Sequence, residues 1–191
     1  MRPELYDIDT ALLTDRCVVR RFREGEGLQF YDLLDRNRDV LQDHFPHLVA
    51  TVLADPTAGE AFVRRQLAGW LLQREFAFVV QQPETTALIG FVQLHDLNWD
   101  VPAAEVVYFL DRDHAQQGLM TEALERVVRF AFQQLQLEKL YVKTLADNYA
   151  SQRVARKVGF GREGDLRNEF RKPGGMLVDL VRFGLSRETW K

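Results

Sequence analysis

The stretch AEVVYFLDRDHAQQGLM, residues 104–120, runs straight into Thr121, Glu122, Ala123 and Leu124, and its reading decides the fold. Val106, Val107, Tyr108, Phe109 and Leu110 form a nearly unbroken run of strand-forming apolar residues, the pattern of a strand buried on both faces. From Leu119 the period becomes helical. Leu119, Ala123, Val127, Ala131 and Leu135 recur on one side with Met120, Leu124 and Val128 beside them. Glu122 with Arg126, and Glu125 with Arg129, stand four apart on the wet side. Between strand and helix lies a polar turn built around Gly118. Such a turn leaves several amide N–H groups unpaired at the positive end of the helix dipole, a natural seat for a phosphate. An ordinary crossover that binds nothing has the same pattern, so the turn alone does not choose between the two.

On the N-terminal side, residues 1–14 read as a lead-in arm and RCVVRRF (16–22) as a short strand. Leu28, Phe30, Tyr31 and Leu34 predict a helix ending near Arg38. Residues 40–53 are less regular, with Pro46 flanked by His44 and His47; two histidines could line a pocket but lack a third ligand for a metal. Pro56 suits the first turn of a second helix, Thr57 with Glu60 has the spacing of a capping box, and Phe62, Val63, Gln66, Leu67, Trp70 and Leu71 supply its apolar face. Residues 76–80 and 87–97 predict a hairpin across a turn at 83–86, with His95 near its end as a polar strand residue.

On the C-terminal side, KLYVKTL (139–145) is a strand and residues 148–158 a helix. Asn148 can cap that helix, and Gly159 can take the left-handed stop. Residues 160–166 and 177–185 close the chain as two strands around a turn at 172–175. The order β-α-α-β-β-β-α-β-α-β-β specifies a mixed α/β sheet layered with helices, read as one domain over residues 1–191.

Composition narrows the function classes. With 46% hydrophobic and 28% charged residues the chain reads as an ordinary globular protein, and a net charge of −3 offers no basic surplus for nucleic acid. The local cluster Arg20, Arg21, Arg23 reads as a solvated strand end. The one cysteine, Cys17, excludes an internal disulfide and a cysteine-based metal cluster, and its apolar setting points to a buried structural thiol. The opening MRPELYDIDT has no apolar signal-peptide core, and no run approaches the roughly 20 apolar residues that span a bilayer. A cytoplasmic protein without a membrane partner is the expectation.

Several spaced motifs together resemble one family, the GNAT superfamily of acyl-CoA N-acyltransferases, in its RimJ/RimL-type group. TDRCVVRRF (14–22) looks like the group's first strand, and AEVVYFLD followed by QQGLMTEAL like its fourth strand and acetyl-CoA-binding turn. ADNYASQRVARKVGF (146–160) is similar to its Asn-x-x-Ser helix ending in Gly-Phe, and DLVRFGLSRETW (179–190) to its last strand. The resemblance implies a GNAT fold: a mixed, largely antiparallel central sheet flanked by helices and splayed between the fourth and fifth strands. The turn departs from the pattern of Gln or Arg, then x-x-Gly-x-Gly/Ala. Ala115 holds the first position and Gln116 stands where glycine is common, which implies altered affinity for CoA.

The resemblance further implies an acetyl-CoA-dependent N-acetyltransferase in which a neutral amine attacks the thioester directly. Proton removal, oxyanion stabilisation and thiolate protonation are then the protein's tasks. By the same resemblance the thioester arm lies along the backbone of Tyr108, Phe109 and Leu110. The pyrophosphate rests on the amides of Gln116, Gln117, Gly118, Leu119 and Met120, with the Thr121 hydroxyl and the Asn148 and Ser151 helix end nearby. Two carboxylates compete as general base: Glu105, on one strand face with Val107 and Phe109, and Glu169, after the Gly-Phe strand. An ordinary glutamate pKa near ~4.3 suits neither unless burial raises it. Many superfamily members carry a tyrosine acid four residues before the helix-ending glycine, where this chain has Ala155; the RimL-type pattern points instead to Ser151. The favoured acceptor is a protein N-terminal amine. Alternatives are a small amine (polyamine, antibiotic or metabolite) or a CoA-binding module without catalysis, in a monomer or homodimer.

Overall fold

In the computed structural model, which describes residues 10–190, eight strands form one sheet in the order β1-β2-β3-β4-β5-β6-β8-β7. They are β1 (Ala11–Leu13), β2 (Val18–Arg21), β3 (Phe76–Gln81), β4 (Leu88–Asn98), β5 (Ala103–Leu110), β6 (Lys139–Leu145), β7 (Gly161–Arg171) and β8 (Leu177–Ser186). Every neighbouring pair is antiparallel except β5 with β6. Two parallel strands need a long crossover, and helix α5 (Leu119–Gln133) supplies it. The expected arm therefore contains an additional short strand at 11–13, which makes the parallel pair the fifth and sixth strands in chain order. Residues 1–9, where the rest of that arm falls, lie outside the described residues.

Strand alternation sends side chains to two cores. Val19, Phe78, Val92, Val106 and Tyr108 face α5 and α6 (Tyr149–Val158), meeting Leu124, Val127, Val128 and Phe130. Ala77, Val79, Phe91 and Phe109 face the other way, onto helices α1 (Gly27–Asp35), α2 (Arg38–His44), α3 (Pro46–Val52) and α4 (Ala58–Leu71). That second core is built on phenylalanine. Phe30 stacks on Phe62 at 5.3 Å and meets Phe22 edge-on at 5.0 Å, with Phe91 at 5.4 Å.

Four local expectations change. Residues 40–53 are helical rather than irregular: α2 and α3 meet at Phe45, and Pro46 opens α3 at a first-turn position where no N–H is needed. The Thr57–Glu60 capping box does not form. Asp55 Oδ1 instead accepts from the Thr57 and Ala58 amides at 2.8 and 3.0 Å. Glu60 reaches across to the start of α1 and accepts from the Gly25 and Gly27 amides. That reach needs α1 and α4 in backbone contact, which Gly27 and Gly59 permit: a Cβ on Gly59 would lie 2.3 Å from the Gly27 carbonyl oxygen. Leu71, assigned to the apolar face of α4, is exposed. Arg20 is no solvated strand end; it is buried, paired with Glu26 and hydrogen-bonded to Gln81 Oε1 at 2.6 Å. Arg21 and Arg23 are exposed as expected. Cys17 is buried, and burial pushes its thiol pKa up, as a structural thiol requires. No helix among the described residues is long and apolar enough to cross a membrane.

Candidate active site

Strands β5 and β6 pair over only three residues, Ala103 with Lys139, Ala104 with Leu140 and Glu105 with Tyr141. Beyond that point they part, while β5 stays paired to β4 as far as Leu110 and β6 to β8 as far as Leu145. The sheet therefore opens as a wedge with its apex at Glu105. Its wide end lies at the carboxyl ends of the two parallel strands, where crevices in such sheets take ligands. A cavity of 530 Å³ occupies the wedge.

The cavity gathers most of the expected site residues. Glu105, Tyr108, Phe109, Leu110, Gln116, Met120, Asn148, Ser151 and Glu169 all line it. Gln117, Gly118, Leu119 and Thr121 do not; Gln117 and Gly118 lie in the turn, and Leu119 and Thr121 in the first turn of α5. In that turn Gln116 has φ 62° and Gly118 φ 84°. The left-handed conformation is free for glycine and strained for glutamine, at a cost of about 1–2 kcal/mol, so Gln116 holds a backbone shape natural to glycine. Among the described residues no acceptor within the chain meets the amides of residues 116–121; the first amide to bond back is that of Glu122, to the Gly118 carbonyl at 3.2 Å. The N-terminus of α5 thus presents a row of free donors and a positive dipole end beside the cavity.

Two groups that the sequence reading missed hold this turn. Asp111, buried at the end of β5, accepts from Arg36 Nε at 2.7 Å and Asn37 Nδ2 at 3.1 Å, and Asn37 Oδ1 accepts from the Arg112 amide at 3.0 Å. Burial alone pushes the Asp111 carboxyl up, but the bonds from Arg36 and Asn37 and the Arg36 charge outweigh it and hold the group below the usual carboxylate range. On the outer side Arg16 Nη1 donates to the Gln117 carbonyl at 2.8 Å, and the same guanidinium pairs with Glu122. A polar residue closing an apolar run was the available sign for Asp111; Arg16 and the Arg36–Asn37 pair gave none, since each acts across the fold.

At the apex Glu105 is buried, opposite His95 on β4 and Tyr141 on β6. Its Oε2 makes no hydrogen bond of good geometry but lies 2.8 Å from Lys143 Nζ as an ion pair. Burial works against the Lys143 ammonium, yet the close contact with the Glu105 carboxylate prevails and raises its pKa above the usual lysine value. His95, read as a polar strand residue, also lines the cavity. Glu169 is exposed, on β7 where its register with β8 shifts, and lines the same cavity as the buried Glu105.

Asn148 caps α6, its Oδ1 accepting from the Ser151 amide at 3.1 Å, and Gly159 ends the helix at φ 104° as expected. Ser151 is more than a cap residue. Its hydroxyl donates to the Tyr108 hydroxyl at 3.1 Å, and that hydroxyl donates to the Ser151 carbonyl at 2.9 Å. Burial pushes the Tyr108 pKa up to about 12, so the phenol stays neutral across the physiological range. His44 reaches the same rim from α2, with Nδ1 3.5 Å from Asn148 Nδ2, and burial lowers its pKa. His47 is exposed and does not line the cavity. Among the described residues no three His, Cys, Asp or Glu side chains are placed to hold a metal.

Known proteins resemble this chain in sequence and in fold. A family model described as an acetyltransferase (GNAT) domain matches residues 16–161. The ribosomal-protein-serine acetyltransferase of Escherichia coli (strain K12) is 26% identical over 166 residues, 83% of this chain and 87% of that protein. The spermidine N(1)-acetyltransferase of the same strain is 29% identical over 149 residues, 77% of this chain and 74% of that protein. The solved structure of Mycobacterium smegmatis RimJ in complex with CoA-disulfide superposes with a TM-score of 0.84 at 18% identity, covering 98% of this chain and 91% of that one. At that identity the likeness is one of fold. Other curated relatives are matched over 56% to 63% of their length, so the chain spans little more than half of them.

Proposed function

The chain belongs to the acetyltransferase (GNAT) family, and on that premise we propose that it transfers an acetyl group from acetyl-CoA to a primary amine by direct attack. The single observation that carries the reading is the wedge: strands that part beyond Glu105, with unpaired amides of residues 116–121 at its wide end. Those amides suit the pyrophosphate, with Thr121 and Asn148 beside it. The apolar slot between Tyr108, Phe109, Leu110 and Met120 suits the arm that carries the thioester. Gln116, Gln117, Gly118 and Leu119 contribute through the main chain, which is why side-chain departures in this turn are compatible with binding.

Acetyl-CoA supplies an activated carbonyl and a sulfur leaving group; the chain supplies position and proton transfer. Glu105 is the general base in this reading, because it is buried at the apex and faces the cavity. Glu169, which lines the same cavity, is the second candidate. Ser151 is the acid that returns a proton to sulfur, held in place by Asn148 and Tyr108. A thiol of ordinary pKa, near ~8.5, is a good enough leaving group for solvent to share that task.

The favoured acceptor is a protein N-terminal amine, supported by the ribosomal-protein relative. A small amine such as a polyamine, antibiotic or metabolite is the second reading, favoured by the spermidine relative and by the two carboxylates that line the cavity. The proposal extends to one acetyltransferase domain over residues 1–191, cytoplasmic, monomeric or homodimeric, acting without nucleic acid or membrane; the net charge of −3 is in keeping with it. Free-thiol release from acetyl-CoA across an acceptor panel, with CoA binding by calorimetry alongside, tests the whole. Turnover of peptides with Ala or Ser at the N-terminus supports the first acceptor, and turnover of small amines alone supports the second. CoA binding without any turnover would reduce the protein to a binding module, and no CoA binding would remove the assignment.

A further inference from the structure

One amine of the chain itself stands inside the wedge. Lys143 lies two residues beyond Tyr141 on β6, level with Val107 on β5, where the two strands have already parted. Glu105 and Tyr141 are direct partners and share a sheet face, and alternation puts Lys143 on that face too. Its Nζ is 2.8 Å from Glu105 Oε2, both side chains line the cavity, and they are only 25% and 7% exposed. A primary amine in contact with a buried carboxylate, beside a slot for a thioester, is the arrangement an acceptor needs.

We propose that Lys143 is a self-acetylation site: with no external amine present, its Nζ takes the acetyl group from acetyl-CoA bound in the same cavity. The inference rests on the acetyltransferase reading above. The ammonium gives one proton to Glu105, and the freed lone pair attacks the thioester carbon. The N–C bond forms, the C–S bond breaks, and its electron pair leaves on sulfur. The nitrogen loses its second proton and the thiolate takes one up, so that ammonium and acetyl-CoA become N-acetyl-lysine, free CoA thiol and one released proton. No oxidant or further reactant is needed. The resulting amide carries no charge, so acetylation dissolves the Lys143–Glu105 pair and leaves the carboxylate open to an incoming ammonium.

The full chain, incubated with acetyl-CoA and no acceptor, is followed by intact mass and peptide mapping, with CoA calorimetry and amine turnover measured on the same preparation. One acetyl group on Lys143 is expected, at a rate independent of protein concentration. It should be absent in Lys143→Arg, which keeps the positive charge, and slowed roughly a hundredfold in Glu105→Gln. A protein that binds CoA and turns over an external amine while Lys143 stays unmodified overturns the inference. So does labelling that is equal in heat-unfolded protein or that speeds up with protein concentration. Failure of the underlying reading is distinct, because calorimetry would then show no CoA binding, and the inference falls with it.

Discussion

Replacing Asp111 by alanine should loosen the cofactor turn and destabilise the fold together. Asp111 accepts one charged bond from Arg36 at 2.7 Å and one from buried Asn37 at 3.1 Å, with a long third contact to the Asp113 amide at 3.4 Å. Bonds to a charged group contribute about 1.5–3 kcal/mol each. The Arg36 side chain is 40% exposed, which places its share at the low end. Asn37 keeps its bond to the Leu33 carbonyl, so it is not orphaned. The sum is about 3 kcal/mol, and in a chain of this size each kcal/mol moves Tm by about 2–4 °C, giving a fall of about 6–12 °C. If re-ordering the turn takes about 1 kcal/mol of the binding energy, CoA affinity falls about fivefold. The sign with pH follows from the depressed carboxyl. Its contribution is full above about pH 4, the unfolded value, and is lost as pH falls through the lower folded value, so wild type and variant should converge in acid. Thermal unfolding and calorimetry with CoA check both numbers. A Tm within about 2 °C of wild type together with unchanged CoA affinity would refute the idea that Asp111 holds the turn.

Ser151→Ala should slow turnover by about tenfold or more while sparing CoA binding; unchanged kcat in a thiol-release assay removes Ser151 from the chemistry. Phe30→Ala, in a core where its ring meets Phe22, Phe62, Phe91 and Phe109, should cost about 3–5 kcal/mol, read from denaturant unfolding; a loss under 1 kcal/mol would mean that the cluster collapses to fill the gap. Tyr108, with its pKa pushed up to about 12, contributes stability that is full below about pH 10 and lost as pH rises through the folded value. Phenolate absorbance should show one tyrosine ionising last, and that component should vanish in Tyr108→Phe; if it persists, the buried tyrosine is another one.

Local patterns reached far in this chain. The continuous apolar run of β5 followed by the helical period of α5 marked a strand, a turn and a helix, because burial on two faces and burial on one stripe leave different signatures in sequence. Asn148 and Gly159 bounded α6 correctly, since caps act within four residues. Pairings made across the fold stayed hidden. Glu60 sits three residues after Thr57 and looked like its capping partner, yet it serves the start of α1 instead. Arg20 stood beside two exposed arginines and looked like them, yet it is buried on Glu26.

By itself the sequence determined the order of elements, the strand–turn–helix that offers free amides, and the family motifs on which the assignment of Glu105, Ser151 and residues 116–121 rests. Only the tertiary structure decided at which residue the two strands part, that Tyr108 holds Ser151, that Asp111 ties the turn to Arg36 and Asn37, and that Lys143 faces Glu105. Propensities and caps are settled by neighbours within a turn or two. The partner of a buried charge or hydroxyl is chosen by which distant strand or helix arrives beside it, and no local period records that choice.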